Sequence, residues 1–358
     1  MLIHADRAQR DSAPLAQPAG ARLAFLDGLR GLAALAVFIC HSVQVAFAYY
    51  YPPFRWFDIG QFGVALFFLC SGFIIPISLE RAQPSSGAIR SFWVRRICRL
   101  YPLYWFSLAL VLAAGAAGWT QRSPYIADLS ALTIVANLTM LQILFGYPHL
   151  LVVYWTLFFE LLFYGLVTLL FALGAHRQTV RHTIGLLLTA LATQLLLPLT
   201  IGLRFPISFL IYFAMMFVGT ALCRYHHRAI SGRTTRLILL LTLLTLLVSA
   251  WSAPAVLAAR VAALAVFGAA LRLSRRRQPW SLLYLGRISY SFYLLHPLVL
   301  IAIPPLPSYV ASALVWLAAT LLLSTATYRW IEQPGIALGR RLTQLRHDRA
   351  PHELPQTT

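Results

Sequence analysis

The sequence predicts an all-α, polytopic membrane protein of about ten transmembrane helices with both termini in the cytoplasm. Hydrophobic residues make up 59% of the 358 positions and charged residues only 11%, whereas a soluble domain carries about 25% charged residues. Apolar runs of roughly 18 residues or more, long enough to cross the hydrocarbon core, recur from residue 23 to residue 328. The arginines lie in short clusters between these runs, as is typical of the cytoplasmic ends of membrane helices.

Ten spans account for the apolar runs, and their order sets the orientation of the chain. An even number of crossings places both termini on one side. If that side is the cytoplasm, 25 of the 29 arginines are inside and 4 are outside, and the sequence contains no lysine. The net charge of +19 therefore indicates membrane topology and not a nucleic-acid partner. The predicted spans are 24–47, 60–79, 102–118, 151–173, 183–202, 206–223, 236–252, 255–271, 281–303 and 308–329.

The segment 129–146 (LSALTIVANLTMLQILFG) is apolar enough to resemble an eleventh span. Counting it as a crossing would invert every later loop and place the RLSRRR cluster outside. It also contains Asn137, Thr139 and Gln142, so we predict a re-entrant or interfacial helix.

The chain is predicted to hold three parts. These are a polar cytoplasmic N-terminal segment (1–22), a membrane domain (23–335) and a cytoplasmic tail (336–358). The first apolar run is too long and too rich in aromatic residues and arginine for a cleaved signal peptide, so we interpret it as a membrane helix. The four cysteines have no paired or metal-binding spacing, and neither a disulfide framework nor a metal site is predicted.

Arg30 and His41 lie 11 residues apart in the first span. At 100° per residue this separation is about 20° more than three turns, so both side chains face the same way. The rise is about 16 Å, which places Arg30 near the cytoplasmic face and His41 in the outer half of the membrane. Ionisable groups in hydrocarbon tend to mark function. The alternative is a capped helix end and a histidine satisfied by a neighbouring helix.

Two further ionisable residues lie within predicted spans. Glu160, in YWTLFFELLFYG, is expected to be neutral or paired. We predict that it orients or charge-balances His41, as an acid does for a catalytic imidazole; a neutral acid hydrogen-bonded between helices is the alternative. His296 precedes Pro297, which frees a carbonyl near residue 293 and predicts a kink at a cavity wall. A kink with purely structural hydrogen bonds remains open.

Charged residues also gather at the cytoplasmic edge. Arg96 and Arg99, in SFWVRRICRLYP, are one turn apart on a common helix face, with Arg95 beside them. Arginine forks suit phosphate oxygens, so this cluster is a candidate site for a large anionic donor; ordinary anchoring to lipid headgroups is the alternative. Asp27 and Glu332 lie near the same edge.

Six motifs occur in chain order: LDGLRGLAALAVFICH (26–41), FGVALFFLCSGFII (62–75), FWVRRICRLYPLYW (92–105), YWTLFFELLFY (154–164), ISYSFYLLHP (288–297) and WIEQP (330–334). Together they resemble the acyltransferase 3 family of bacterial membrane proteins, from about residue 23 to 335. The resemblance implies ten membrane helices. It also implies O-acylation of O-antigen, exopolysaccharide, Nod factor or related glycans, with acetyl-CoA as the usual donor. Some relatives add an SGNH-type domain; the chain stops too soon to hold one, so a second transfer is expected to need another protein or not to occur.

The resemblance also implies roles for individual residues. The catalytic residues are expected to be His41, Glu160 and Arg30. Donor binding is expected from Arg96, Arg99 and Arg30, and substrate binding from His296 and Asp27.

The sequence thus predicts a metal-independent O-acyltransferase of a bacterial inner membrane. It would move an acyl group, expected to be acetyl, from cytoplasmic acyl-CoA to a hydroxyl of a cell-surface or lipid-linked glycan, within a shell of membrane lipids. His41 would act as general base, and an acyl-histidine intermediate remains open. The main alternative is a glycan or lipid-linked sugar flippase, which would neither bind acyl-CoA specifically nor consume it.

Overall fold

The computed structural model describes residues 23–47, 56–80, 85–118, 130–200 and 208–344. In these ranges the regular secondary structure is helical and contains no strand, which confirms the all-α prediction. The predicted segment 1–22 and the predicted tail from residue 345 lie outside the described residues. The helices are α1 (Ala24–Ala46), α2 (Ile59–Glu80), α3 (Ser86–Ala116), α4 (Ala131–Leu138), α5 (Tyr154–Ala172), α6 (Thr179–Thr200), α7 (Ser208–His226), α8 (Gly232–Ser249), α9 (Pro254–Arg272), α10 (Trp280–Arg287), α11 (Ser289–Ala302), α12 (Tyr309–Thr327) and α13 (Gln333–Gln344).

The long helices match the predicted spans. Within the described ranges, eight helical units are long and apolar enough to cross a membrane: α1, α2, α3, α5, α7, α8, α9 and the unit that runs from α12 to α13. The bent pair of α10 and α11 supplies a ninth crossing if it is counted as one span. The remaining predicted span coincides with α6, a helix of 22 residues. The prediction of a polytopic, all-helical membrane protein is therefore confirmed.

The segment after residue 130 does not form a crossing, as predicted. Helix α4 has eight residues, so it is about 12 Å long, well short of the ~30 Å hydrocarbon core. Asn137 anchors the following turns, because its Nδ2 donates to the carbonyl of Pro148 at 2.9 Å and its Oδ1 accepts from the backbone N–H of Leu150 at 3.1 Å. Three α3 side chains donate to the carbonyls of residues 137–139, at the end of α4, at 2.6–3.1 Å: Tyr101, Tyr104 and Trp105.

Helix α3 begins much earlier than the predicted span at residue 102. It has 31 residues and starts after Ser85, whose Oγ accepts from the N–H of Ala88 at 3.2 Å. The span was predicted from apolar run length, and the arginines before residue 102 interrupt the apolar run. They do not interrupt the helix, because arginine is a good helix former. The cluster around Arg96 and Arg99 therefore lies on the membrane helix itself.

The ninth predicted span is sharply bent. Helices α10 and α11 meet at Ile288 at an angle of 78°, whereas the sequence placed the bend at Pro297, which lies inside α11. The position of the bend follows from packing. A side chain on Gly286 would overlap the backbone of Asp27, and one on Gly31 would overlap the carbonyl of Leu282. Helix α10 thus crosses α1 at backbone contact, which small residues allow.

Helix α12 continues through a π-helical turn, Tyr328–Glu332, into α13. Gly335 and Gly339 of α13 pack against α3 beside Cys98, so residues 336–344, which the sequence assigned to the tail, belong to a packed helix. The π turn places Glu332 inside the protein, where it is 1% exposed. Such turns are frequent at functional sites.

Candidate active site

A cavity of about 970 Å³ lies among the helix ends that the arginine distribution assigns to the cytoplasm. This volume is within the range of roughly 300–1,000 Å³ typical of ligand pockets. We call it the arginine cavity, because seven arginines and three carboxylates line it. The surplus of positive charge in this cavity indicates an anionic ligand. The arginines are Arg30, Arg95, Arg96, Arg99, Arg287, Arg329 and Arg340, and the carboxylates are Asp27, Glu160 and Glu332.

Two of the cavity carboxylates interact electrostatically with two of its arginines. Arg30 and Arg99 each interact electrostatically with both Glu160 and Glu332. Glu332 also accepts a hydrogen bond from Ser291 Oγ at 2.8 Å. The carboxylates offset part of the arginine charge, which is required of charged groups buried in a membrane protein.

Arg96 is held in a defined orientation. Its Nη2 donates to Ser78 Oγ at 3.2 Å, and its guanidinium carbon lies 5.2 Å from the ring centroids of both Phe92 and Tyr164. Aromatic faces and a hydroxyl acceptor fix the plane of the guanidinium fork. Arg99 lines the same cavity one turn later, so the predicted common face of Arg96 and Arg99 is present.

His41 and His296 form a hydrogen-bonded pair. Nδ1 of His41 lies 2.8 Å from Nε2 of His296, and the rings stack with centroids 5.1 Å apart. Nδ1 of His296 lies 3.2 Å from the carbonyl oxygen of Phe292. A carbonyl can only accept, so Nδ1 of His296 carries the hydrogen and its Nε2 is the acceptor. The hydrogen between the rings therefore belongs to Nδ1 of His41, whose lone pair is at Nε2.

Aromatic rings surround the inner member of the pair. His296 is fully buried, and the ring centroids of Phe38, Phe292 and Tyr293 lie 6.0–6.3 Å from that of His296. His41 is partly exposed. The two histidines therefore differ in exposure: His296 lies inside the protein, and His41 keeps part of its surface exposed.

The arginine cavity stops short of the histidine pair. Of the described residues that line it, none is His41 or His296. The α1 turn that follows Arg30 packs against α2, where a side chain on Gly63 would overlap the carbonyl of Ala33. The arginine cavity therefore does not extend along the whole stripe from Arg30 to His41.

The structure sorts the predicted site residues into two groups. Five line the arginine cavity, namely Asp27, Arg30, Arg96, Arg99 and Glu160, and two form the pair beyond it, namely His41 and His296. Glu160, predicted to orient His41, accepts a hydrogen bond from the Tyr164 hydroxyl. The atom that faces Nδ1 of His41 is on His296, predicted to contact substrate, so this geometry gives the orienting position to His296.

Some residues of the site had no role in the sequence analysis. Glu332 was noted only for its place at the cytoplasmic edge, although the WIEQP motif contains it. No pattern distinguished Tyr293 from the other tyrosines of an aromatic-rich chain. In the part of the chain that the structure describes, no group of three or more His, Cys, Asp or Glu side chains is arranged to hold a metal ion.

Curated relatives match short segments of the chain. The acyltransferase MdmB of Streptomyces mycarofaciens is 34% identical over 111 residues, which cover 30% of this chain and 27% of MdmB. A Staphylococcus aureus (strain COL) protein with the provisional name O-acetyltransferase is 33% identical over 100 residues, 27% of this chain and 14% of that protein. The peptidoglycan O-acetyltransferase OatA of Listeria monocytogenes is 33% identical over 89 residues, 24% of this chain and 13% of OatA. Each match therefore spans less than a third of the relative.

No solved structure matches the chain. The model of the acyltransferase 3 family, described as an acyltransferase domain, matches residues 23–329. This match covers the residues of α1, α2, α3 and α5 that line the arginine cavity and both members of the histidine pair, and the lining residues from Glu332 to Arg340 lie beyond it. The chain belongs to the acyltransferase 3 family of membrane proteins.

Proposed function

We propose that this protein is an O-acyltransferase of a bacterial inner membrane. It transfers an acyl group, acetyl in the first instance, from cytoplasmic acyl-CoA to a hydroxyl of a cell-surface or lipid-linked glycan. The proposal is carried by one observation: a cavity rich in arginine lies on the cytoplasmic side of a hydrogen-bonded histidine pair. The name of the Listeria relative, a peptidoglycan O-acetyltransferase, supports a glycan acceptor.

The arginine cavity suits the nucleotide end of coenzyme A. That end carries a diphosphate and a further phosphate on the ribose, so it needs several cations at once. Arg96 and Arg99 offer forks that match phosphate oxygens, and Arg30 lies on the facing helix α1. Apolar lining farther from the cytoplasm, including Phe67 and Leu157, suits the less polar pantetheine arm.

His41 is the general base in this mechanism. Its Nε2 takes the proton of the acceptor hydroxyl while its Nδ1–H stays hydrogen-bonded to His296. The hydroxyl oxygen bonds to the thioester carbonyl carbon, the C–S bond breaks, and the thiolate takes the proton back from His41. The products are an ester and coenzyme A thiol. His296 orients the imidazole, as the third member of a catalytic triad does.

A covalent route uses the same nitrogen. Nε2 of His41 attacks the thioester carbon, coenzyme A leaves as a thiol, and the acceptor hydroxyl then takes the acyl group from the histidine. The two routes can be distinguished in an experiment without acceptor. Only the covalent route then exchanges label between acetyl-CoA and free coenzyme A.

The test uses inside-out membrane vesicles supplied with radiolabelled acetyl-CoA and native acceptor. Wild type is compared with His41→Ala and with His182→Ala, which removes an α6 histidine packed against Phe217. We expect alkali-labile label on glycan with wild type and His182→Ala, and at least a hundredfold less with His41→Ala. Full labelling by a folded His41→Ala protein would refute the mechanism. Glycan movement without acyl-CoA consumption would favour a flippase.

A further inference from the structure

Three side chains from different helices form one contact cluster at the edge of the arginine cavity. They are Phe67 of α2, Thr156 of α5 and Tyr293 of α11, all of which line it, and we call them the Tyr293 wall. The Tyr293 hydroxyl lies 2.9 Å from Thr156 Oγ1. The Tyr293 ring meets Phe67 edge to face, with centroids 5.3 Å apart. Contacts from two neighbouring helices thus hold the phenol ring in the lining of the cavity.

Tyr293 also touches the histidine pair. Its ring centroid lies 6.0 Å from that of His296, one turn farther along α11. Phe38 and Phe292 contact His296 as well, but of these three aromatic residues, Tyr293 is the one that also lines the cavity. Tyr293 therefore lies between the space for the donor and the histidine pair.

This inference rests on the reaction proposed above, which explains why a side chain would lie between the cavity and the histidine pair. The donor enters from the cytoplasm, and the acceptor hydroxyl reacts at His41 in the outer half of the membrane. An open passage between the two would join both sides of the membrane and admit water to the thioester. A wall that moves only when the acyl group advances avoids both outcomes, and the Tyr293 side chain can turn by giving up its bond to Thr156.

We propose that Tyr293 selects the acyl group by size. The acyl end of the donor lies beneath the Tyr293 ring, where a short group fits and a longer one meets the ring and Phe67. Truncation of Tyr293 joins the cavity to the space around the histidine pair, so longer acyl groups are accepted. Water then also reaches the thioester: its oxygen bonds to the acyl carbon, the C–S bond breaks, and the thiolate takes a proton from the water. The products are a carboxylic acid and coenzyme A thiol.

The experiment compares acetyl-CoA with butanoyl-CoA as donors in inside-out vesicles with native acceptor. The measured quantity is the ratio of kcat/KM for the two donors in wild type, Tyr293→Ala and Tyr293→Phe. Tyr284→Ala is the matched control, because the Tyr284 hydroxyl lies 2.7 Å from Thr325 Oγ1 in a similar contact, and Tyr284 is not among the described residues that line the cavity. Release of coenzyme A without acceptor is measured in parallel.

We expect wild type to prefer acetyl at least tenfold, since one methylene in a confined pocket changes kcat/KM by about 10–200-fold. Tyr293→Ala should reduce the preference to about threefold or less and raise hydrolysis without acceptor. Tyr293→Phe keeps the ring and should keep the preference, as should Tyr284→Ala.

Two outcomes overturn the inference. One is a folded Tyr293→Ala protein with the wild-type donor ratio, whatever its overall rate, because a merely structural role would lower the rate and leave the ratio. The other is an equal shift of the ratio in Tyr284→Ala.

If wild type transfers neither acyl group, the proposed function fails, and binding decides the inference separately. The Kd of each purified variant for butanoyl-CoA and acetyl-CoA is then compared. A higher affinity for butanoyl-CoA relative to acetyl-CoA in Tyr293→Ala than in wild type supports the inference. The same ratio of the two Kd values in both proteins overturns it.

Discussion

The hydrogen bond between His41 and His296 assigns different tasks to two identical side chains. A catalytic imidazole is commonly oriented by a carboxylate, but a carboxylate without a cation is costly in hydrocarbon. A neutral histidine accepts the same hydrogen bond without adding charge. The carboxylates Glu160 and Glu332 instead lie where Arg30 and Arg99 offset them. At the scale of residues, the cavity arginines and carboxylates offset one another, and the pair of His41 and His296 lies outside the lining of the cavity.

His296 is predicted to act through His41 and not on the donor. In His296→Phe the Nδ1–H of His41 loses its acceptor, so we expect kcat to fall by about 10²-fold, within the contribution of a general base. KM for acetyl-CoA should change less than about threefold, because the loss is confined to the transition state. His296→Gln offers an amide oxygen to the same hydrogen and should recover part of kcat.

Steady-state kinetics in vesicles measure both parameters. A large rise in KM with unchanged kcat would instead show that His296 contacts substrate. Equal kcat for the Phe and Gln variants would refute the orienting hydrogen bond.

At the scale of elements, the contact between α1 and α10 decides the geometry of the site. Gly31 and Gly286 let the two helices cross at backbone distance. Helix α10 therefore ends beside Asp27, and the chain turns by 78° at Ile288. That turn starts α11 at the level of the cavity, so Tyr290 and Tyr293 line it and His296 reaches His41 one turn beyond.

Gly286→Ala is predicted to separate these helices. The added Cβ would overlap the backbone of Asp27, and overpacking of this kind costs about 1–3 kcal/mol. Gly268→Ala on α9 is the matched control, because a Cβ there meets nothing within 4 Å, and alanine favours a helix by about 0.5–1 kcal/mol.

Thermal unfolding of the purified variants in detergent is the measurement. We expect a lower Tm for Gly286→Ala and an unchanged or higher Tm for Gly268→Ala. Equal Tm values for the two variants would contradict the close crossing.

At the scale of the whole molecule, the arginine distribution orients the bundle. The surplus of arginine on the assigned cytoplasmic side coincides with the side on which the arginine cavity lies. The same charges thus follow the positive-inside rule, and we predict that they also bind the anionic donor. Helix α6 matters most to this topology, because every later helix inverts if α6 does not cross.

Cysteine labelling tests the topology. Trp251→Cys lies in the turn between α8 and α9, where the native side chain is 78% exposed, and Arg276→Cys lies in the exposed segment after α9. We expect a membrane-impermeant maleimide to label Trp251→Cys in right-side-out vesicles and Arg276→Cys in inside-out vesicles, over the background of the native cysteines. The opposite pattern would show that the number of crossings before α8 is odd.

The sequence by itself determined the all-α membrane fold and the position of most spans, and it predicted the orientation and the residues of the site. Apolar run length and arginine clusters are local properties that respond directly to the bilayer. The pairing of Arg96 with Arg99 follows from helical spacing alone.

Only the tertiary structure decided how these residues meet. His41 and His296 are 255 residues apart, and no local pattern relates them. Their pairing depends on where α10 can touch α1, which depends on two glycines in distant segments, and the Tyr293 wall depends on three helices at once. Packing between helices remote in sequence therefore placed His296, and not Glu160, at Nδ1 of His41 and put the bend at Ile288 instead of Pro297. It also left His41 and His296 outside the lining of the arginine cavity.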